Sequence, residues 1–177
     1  MTLTATGPEL TTARLRLRPL AMADAPRLAR LGDDFEVARM LTSCPHPYTL
    51  ADAEALVRLG MDADPADEAM FAIELPGEGA IGTIGFDPDG VLAHEVGYWI
   101  GRPYWGRGYV SEALAASLDW VSGAWGRRCV TARHFVDNPA SAAVLLRAGF
   151  LYTGRTEWRP CVSRGERVLN RWMVWLA

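Results

Sequence analysis

The sequence predicts a mixed α/β protein, in which helices flank one central sheet. Along the whole chain, segments whose hydrophobic residues have the period of a strand alternate with segments of helical period. In the middle of the chain, three predicted strands joined by two tight turns form an antiparallel meander. Strand–helix–strand units follow the meander, and they indicate that part of the sheet is parallel, because a parallel pair needs a crossover connection.

The N-terminal part is predicted to contain one strand and three helices. The strand alternates leucine with arginine, which is typical of a half-buried strand. Thr49 and Asp52 have the spacing of a capping box, so we expect the third helix to begin there and run to about Met61. The other segments are the strand at 12–19, helices beginning at Asp24 and at 34–41, and a proline-rich loop at 42–49.

The remaining elements follow from turn residues and apolar periodicity. The predicted helix at 139–148 has Pro139 in its first turn and Gly149 just past its end. A second helix is indicated by apolar residues at helical spacing from Val110 to Val121. The full set is strands at 70–75, 80–86 and 91–100, a helix at 108–122, a strand at 129–136, a helix at 139–148, and strands at 150–158 and 167–176.

Composition excludes several classes of protein. Half of the 177 residues are hydrophobic and 22% are charged, so the chain can bury a full core as a single domain over 1–177. A net charge of −3 gives no general reason to bind nucleic acid or an anionic membrane. No apolar run approaches the roughly 18 residues of a membrane span, and Met1–Pro8 lacks the features of a signal peptide, so we expect a cytoplasmic protein. Cys44, Cys129 and Cys161 form neither a disulfide framework nor a metal-binding or redox pair.

Residues 97–112, GYWIGRPYWGRGYVSE, carry the first chemical signal. A predicted strand enters a turn that contains Gly106 and Gly108, and a helix begins at once. Glycines allow the backbone to bend and a ligand to approach, and the free N–H groups of a helix start attract anions. The pattern is neither a P-loop nor a Rossmann fingerprint. The segment therefore indicates a diphosphate site, with a plain tight turn as the alternative.

Three motifs in order resemble those of the GNAT N-acyltransferase superfamily, in particular its RimJ/RimL-like branch of N-terminal amine acetyltransferases. They are TARLRLRP at Thr12–Pro19, RPYWGRGYVSEA at Arg102–Ala113, and NPASAAVLLRAGF at Asn138–Phe150. The resemblance runs from about residue 11 to the C-terminus. It departs from the general superfamily motif at Pro103, where glutamine or arginine is usual.

The resemblance implies a mostly antiparallel sheet with a V-shaped split between two parallel strands, at about 93–101 and 129–136. It also implies acetyl-CoA as co-substrate and no metal. Arg107 and Arg147 would meet the CoA phosphates, or else remain solvated surface arginines, and Asn138 would bind the pantetheine arm or cap its helix. The implied cofactor-binding residues are Trp99, Ile100, Gly101, Gly106, Arg107, Gly108, Tyr109, Val110, Ser111, Asn138 and Arg147.

The resemblance further implies direct attack of an amine on the thioester, for which a base must take the amine's proton. Glu95 is the expected base, with His94 and His134 as alternatives, and it is equally open that Glu95 points into solvent. Superfamily members often protonate the leaving thiolate with a tyrosine, at the position of Leu145 here. Ser141 would instead stabilise the thiolate, unless it is only a helix N-terminal serine.

The acceptor side is the least predictable part of the site. The resemblance assigns the acceptor site to the first helices, the following loop and the final hairpin. An acidic groove there would favour cationic small molecules, whereas an open neutral groove would favour peptides. Three functions remain open: acetylation of a protein N-terminal α-amine, acetylation of a small-molecule amine, and non-catalytic acyl-CoA binding, by a monomer or a homodimer. The candidate acceptor residues are Phe35, His46, Tyr48, Glu157 and Trp158.

Overall fold

A computed structural model describes residues 8–89 and 93–177. Its strands and helices follow the predicted order. The helices are α1 (Ala25–Gly32), α2 (Phe35–Ala38), α3 (Leu50–Asp62), α4 (Tyr109–Ser122) and α5 (Pro139–Arg147). The strands are β1 (Leu10–Thr11), β2 (Arg16–Pro19), β3 (Ala69–Leu75), β4 (Gly79–Asp89), β5 (Ala93–Ile100), β6 (Cys129–Phe135), β7 (Leu151–Cys161) and β8 (Glu166–Leu176).

The strands form one sheet in the order β1-β2-β3-β4-β5-β6-β8-β7. The predicted meander is confirmed as β3, β4 and β5, although its second turn falls partly on residues 90–92, outside the described residues. Among the strands that the structure describes, only β5 and β6 form a parallel pair, and α4 lies in the connection between them. The second strand–helix–strand unit gives no parallel pair, because β8 lies between β6 and β7 and pairs antiparallel with both.

The parallel pair separates after three residues. The register of β5 and β6 runs from His94 opposite Val130 to Val96 opposite Ala132. Beyond that point β5 continues to Ile100, still paired with β4, while β6 stays with β8. The edge of β5 from residue 97 onward therefore faces a gap in the sheet, which is the predicted V-shaped split.

Each face of the sheet carries its own layer of core residues. On one face α4 and α5 pack Leu114 and Leu145 against strand residues such as Ile84. On the other face α1 and α3 bring Leu28 and Val57 into a second buried cluster. The capping box of α3 is present as predicted. Among the described residues, no helix is long and apolar enough to cross a membrane.

The first predicted strand is interrupted. Instead of one strand at 12–19, β1 and β2 form a short antiparallel pair with a tight turn between them. The turn forms because the Thr12 hydroxyl accepts the backbone N–H of Leu15 at 2.9 Å. Threonine and serine side chains compete with strand pairing in this way. The alternation of leucine and arginine alone cannot reveal such a local hydrogen bond.

Candidate active site

Two cavities meet at the free edge of β5. The larger, of about 600 Å³, lies between β5, α4, β6 and α5. The smaller, of about 440 Å³, lies on the face of α1 and α3 and includes the loop that follows α2. Glu95, Tyr98, Trp99 and Arg133 line both cavities. A donor molecule in one cavity and an acceptor in the other would thus face each other across the end of one strand.

The glycine turn before α4 has the geometry of an anion site. Gly106 and Gly108 have φ angles of 72° and 78°, the left-handed region that favours glycine. A Cβ at Gly106 would meet no atom within 4 Å, so the turn leaves space for a ligand. No side chain caps the start of α4, which leaves its first N–H groups available to an anion.

A contact from the N-terminal hairpin supports this turn from outside. The Glu112 carboxylate, in the first turn of α4, accepts the Thr12 hydroxyl at 2.6 Å, the Arg14 backbone N–H at 2.8 Å and Arg14 Nε at 2.7 Å. Arg14 also donates to the carbonyl of Arg107 at 2.9 Å, and its guanidinium lies over the Tyr109 ring at 4.6 Å. Partial burial opposes ionisation of Glu112, but these hydrogen bonds outweigh it and lower its pKa. Together these contacts hold the N-terminal hairpin against the glycine turn.

The backbone groups at the free edge of β5 belong to alternate residues. The N–H of Gly101 donates to the carbonyl of Ile81, at 2.9 Å, so Gly101 faces β4. Alternation in an antiparallel ladder then turns the polar groups of Trp99 toward β4 and those of Tyr98 and Ile100 toward the split. The backbone groups of Trp99 and Gly101 therefore face β4, whereas Tyr98 and the N–H of Ile100 face the split. The Ile100 carbonyl accepts a hydrogen bond from Trp105 Nε1 at 2.9 Å.

Most of the predicted cofactor residues line the larger cavity. Gly101 and Arg107 are the exceptions among the predicted set. Asn138 lines this cavity, and its Oδ1 accepts the Ser141 N–H at 3.1 Å, so it caps α5. Arg147 lines the cavity from the last turn of α5 and is exposed.

Glu95 lies at the split, where its carboxylate is paired with an arginine. Arg133 on β6 donates to both of its carboxylate oxygens, from Nε at 2.6 Å and from one terminal nitrogen. The Arg133 guanidinium also stacks on Trp172 at 4.6 Å and lies 3.7 Å from Glu157. Glu95 is half-buried and does not point freely into solvent, and its charge is neutralised by a neighbour from the adjacent strand.

The two histidines offered as alternative bases occupy different environments. His94 is buried, packs on Trp125 at 4.7 Å between ring centroids, and lines neither cavity. Burial and the nearby Arg127 lower its pKa. His134 lines the larger cavity, but its ring nitrogens are engaged by the Phe135 carbonyl at 2.8 Å and the Tyr152 hydroxyl at 3.0 Å.

Ser141 also lines the larger cavity, in the first turn of α5. Its hydroxyl lies 2.9 Å from the phenol oxygen of Tyr98. Sequence reasoning did not single out Tyr98. Strand alternation places Tyr98 and Glu95 on opposite faces of β5, but it does not reveal that Tyr98 contacts Ser141. Leu145 is fully buried in the core.

The candidate acceptor residues do not form one group. Tyr48 is buried and lines the smaller cavity, where burial raises its pKa. Phe35 and His46 contact each other at the surface, with ring centroids 5.5 Å apart, and line neither cavity. Glu157 and Trp158 lie outside both cavities on β7; Glu157 accepts from Trp172 Nε1 at 3.2 Å, and Trp158 is exposed.

Comparison with known proteins gives matches to acetyltransferases. The profile of the family described as acetyltransferase (GNAT) domain matches residues 14–151. A protein named ribosomal-protein-serine acetyltransferase, from Escherichia coli (strain K12), is 36% identical over 72 residues, which are 41% of this chain. That match spans only 37% of the relative's length.

Solved structures of similar fold cover nearly the whole chain. An acetyltransferase (GNAT family) from Bacillus anthracis gives a TM-score of 0.82 at 22% identity, over 96% of this chain and 98% of that one. RimL, a ribosomal L7/L12 alpha-N-protein acetyltransferase in complex with coenzyme A, gives 0.81 at 19% identity, over 96% and 98%. Mycobacterium smegmatis RimJ in complex with CoA-disulfide gives 0.80 at 23% identity, over 99% and 88%. At these identities the likeness establishes the fold.

Proposed function

The chain belongs to the acetyltransferase (GNAT) domain family, whose enzymes use acetyl-CoA as co-substrate, and we propose that it acetylates the α-amine at a protein N-terminus. The observation that carries this proposal is the junction of two cavities at the free edge of β5. The names of the relatives support the protein acceptor, since both a curated relative and a structural neighbour are named as acetyltransferases of ribosomal proteins.

The larger cavity is the proposed site of acetyl-CoA. Its diphosphate would bind the N–H groups of the glycine turn and the first turn of α4, where the helix dipole favours an anion. The pantetheine arm would pair along the edge of β5 with the backbone groups of Tyr98 and the N–H of Ile100, much as an added strand pairs with a sheet edge, while the Ile100 carbonyl keeps its bond to Trp105 Nε1. Arg147 and the exposed Arg107 are free to approach the remaining phosphate.

The smaller cavity is the proposed site of the acceptor amine. Asp52, Asp87 and Glu95 bring carboxylates to its wall, and Arg133 brings one positive charge. Partial desolvation and the charge of Glu68 raise the pKa of Asp87. A wall with more carboxylates than cations attracts an ammonium group, which is the form of an amine that arrives from neutral water.

The reaction begins when the amine loses a proton and its nitrogen attacks the thioester carbonyl. Glu95 is the proposed base, because it is the carboxylate that lines both cavities. The pair with Arg133 uses one acceptor site on each oxygen, and a carboxylate offers about four such sites, so Glu95 can still receive a proton directly or through water. Arg133 then fixes the direction of the free lone pairs.

A second candidate function is acetylation of a small cationic amine. The carboxylates of the smaller cavity favour it, since an acidic groove suits a compact cation as well as a chain terminus. The two candidates differ in what must follow the amine: a protein N-terminus continues as a peptide, whereas a polyamine or an aminoglycoside does not.

Release of free CoA thiol from acetyl-CoA tests the proposal directly. The acceptors are a lysine-free peptide with a free N-terminal serine, the same peptide with a formylated N-terminus, and a panel of polyamines, amino acids and aminoglycosides. We expect thiol release with the free peptide alone, and mass spectrometry should place one acetyl group on its α-nitrogen. Turnover of small amines with no acetylation of any free-N-terminal peptide would replace the first candidate by the second.

A further inference from the structure

A phenol from β5 and a hydroxyl from α5 meet at the junction of the two cavities. Tyr98 lines both cavities and Ser141 lines the larger one. The phenol oxygen lies 2.9 Å from Ser141 Oγ and 3.4 Å from the Ser141 carbonyl oxygen. The backbone N–H of Ser141 is held by Asn138 Oδ1. Asn138 thus holds the main chain of Ser141, and Tyr98 contacts both its carbonyl oxygen and its hydroxyl.

The phenol keeps its hydrogen at neutral pH. Burial raises the pKa of Tyr98 to about 12, although the hydrogen bond with Ser141 acts in the opposite direction. Tyr98 is therefore always able to donate, and the shorter of its two contacts is to Ser141 Oγ. When the phenol donates to Oγ, the hydrogen of the Ser141 hydroxyl is free to point into the larger cavity.

We propose that Tyr98 is a positioning residue for acetyl transfer, which donates to Ser141 Oγ and so directs the Ser141 hydrogen toward the thioester sulfur of acetyl-CoA. The inference rests on the proposed function, because it assumes that the larger cavity holds the thioester. A hydrogen bond received by Oγ also strengthens the one that Oγ gives, since linked hydrogen bonds polarise each other.

The step is a stabilisation and no proton leaves Tyr98. As the carbon–sulfur bond breaks, its electron pair moves to sulfur, and the Ser141 hydroxyl donates a hydrogen bond to the forming thiolate. Over the whole reaction the ammonium group loses two protons, of which one ends on the CoA thiol and the other in solvent. A tyrosine with so high a pKa would be a poor acid toward a thiol of ordinary pKa about 8.5, which is why donation and not transfer is assigned to it.

Titration of the CoA thiol bound to the enzyme tests the inference without any acceptor. Thiolate absorbance in the ultraviolet gives the thiol pKa in the wild type, in Tyr98→Phe and in Ser141→Ala. We expect a value below that of free CoA in the wild type and an increase of about 1, equal to a roughly tenfold change in thiolate stability, in each variant. Tyr152→Phe is the matched control, since Tyr152 itself lies outside both cavities and its hydroxyl contacts His134, at 3.0 Å, rather than Ser141. A Tyr98→Phe enzyme that titrates like the wild type overturns the inference.

Steady-state kinetics give the second readout. Tyr98→Phe should lower kcat roughly tenfold and leave KM for acetyl-CoA unchanged, because the interaction forms mainly in the transition state. The double variant with Ser141→Ala should be no slower than Ser141→Ala alone, since the phenol acts only through the serine. Independent, multiplicative losses would contradict that role. Failure of the wild type on every amine counts against the proposed function, whereas the thiol titration decides the role of Tyr98 by itself.

Discussion

Replacement of Gly106 by valine isolates the contribution of the glycine turn to cofactor binding. Gly106 has φ 72° and lines the larger cavity, and a Cβ there would meet no protein atom within 4 Å. Gly77, in the turn between β3 and β4, is a matched control with φ 86° and equally open space around its Cβ. Gly77 lies outside both cavities. Both variants place a β-branched residue at a positive φ angle, but only the valine at position 106 would project into the larger cavity.

The expected magnitudes follow from that comparison. A left-handed backbone conformation costs a side-chain-bearing residue about 1–2 kcal/mol, so both variants should lose similar stability. At Gly106 the branched side chain would also displace the diphosphate from at least one backbone N–H. A hydrogen bond to a charged group contributes about 1.5–3 kcal/mol, which corresponds to a roughly 10- to 150-fold loss of acetyl-CoA affinity.

Isothermal calorimetry with acetyl-CoA and a thermal melt on the same preparations measure both effects. We expect Gly77→Val to bind like the wild type while both variants melt at a lower temperature. If Gly106→Val keeps wild-type affinity although it is folded, the diphosphate does not bind at this turn. Equal losses of affinity in the two variants would instead point to a general effect of instability.

Four further substitutions give separate outcomes. Glu95→Gln should lower kcat at pH 7 by roughly 10²- to 10⁴-fold and recover in part at high pH, where free amine accumulates; near-normal kcat at pH 7 would end its role as base. Glu112→Gln should weaken acetyl-CoA binding roughly threefold to tenfold with kcat unchanged, as measured by calorimetry and initial rates, since about 1 kcal/mol of turn positioning is lost. His94→Phe should flatten the pH dependence of unfolding: the lowered pKa of His94 makes the wild type lose stability as pH falls below the unfolded value of 6.5, and the denaturation midpoint of the variant should not follow that slope. Thr49→Ala should cost about 1 kcal/mol of unfolding free energy by urea denaturation, through loss of the α3 cap, with no change in KM for acetyl-CoA.

Much of the fold was accessible from local sequence patterns. The meander, the capping box at Thr49 and the helix that follows Gly108 are all set by residues close together in the chain. Two other features could not be predicted from such local patterns. The turn at Thr12 depends on one side-chain hydrogen bond, and the insertion of β8 between β6 and β7 depends on pairing between distant segments. Periodicity identifies a strand but not its neighbours.

The candidate site likewise has one part that is set by neighbouring residues and another part that is set by residues far apart in the sequence. The glycine turn is contiguous in sequence, so its motif predicts its conformation. The pairing of Glu95 with Arg133 joins residues 38 positions apart on adjacent strands, and the contact of Tyr98 with Ser141 joins residues 43 positions apart. Neither spacing has a periodic signature. Cross-strand and strand–helix partners of this kind become visible only when the register is known.

The wall shared by the two cavities has a consequence for how the ligands bind. Both cavities are lined by Glu95, Tyr98, Trp99 and Arg133. If the donor and the acceptor bind as proposed, a ligand that reorients one of these side chains alters the other ligand's site. Any resulting change in affinity is reciprocal by thermodynamic linkage: acetyl-CoA must tighten or weaken the acceptor by the same factor as the acceptor does acetyl-CoA. Side chains of two neighbouring strands, β5 and β6, would thereby couple the two proposed substrates energetically before any bond is made.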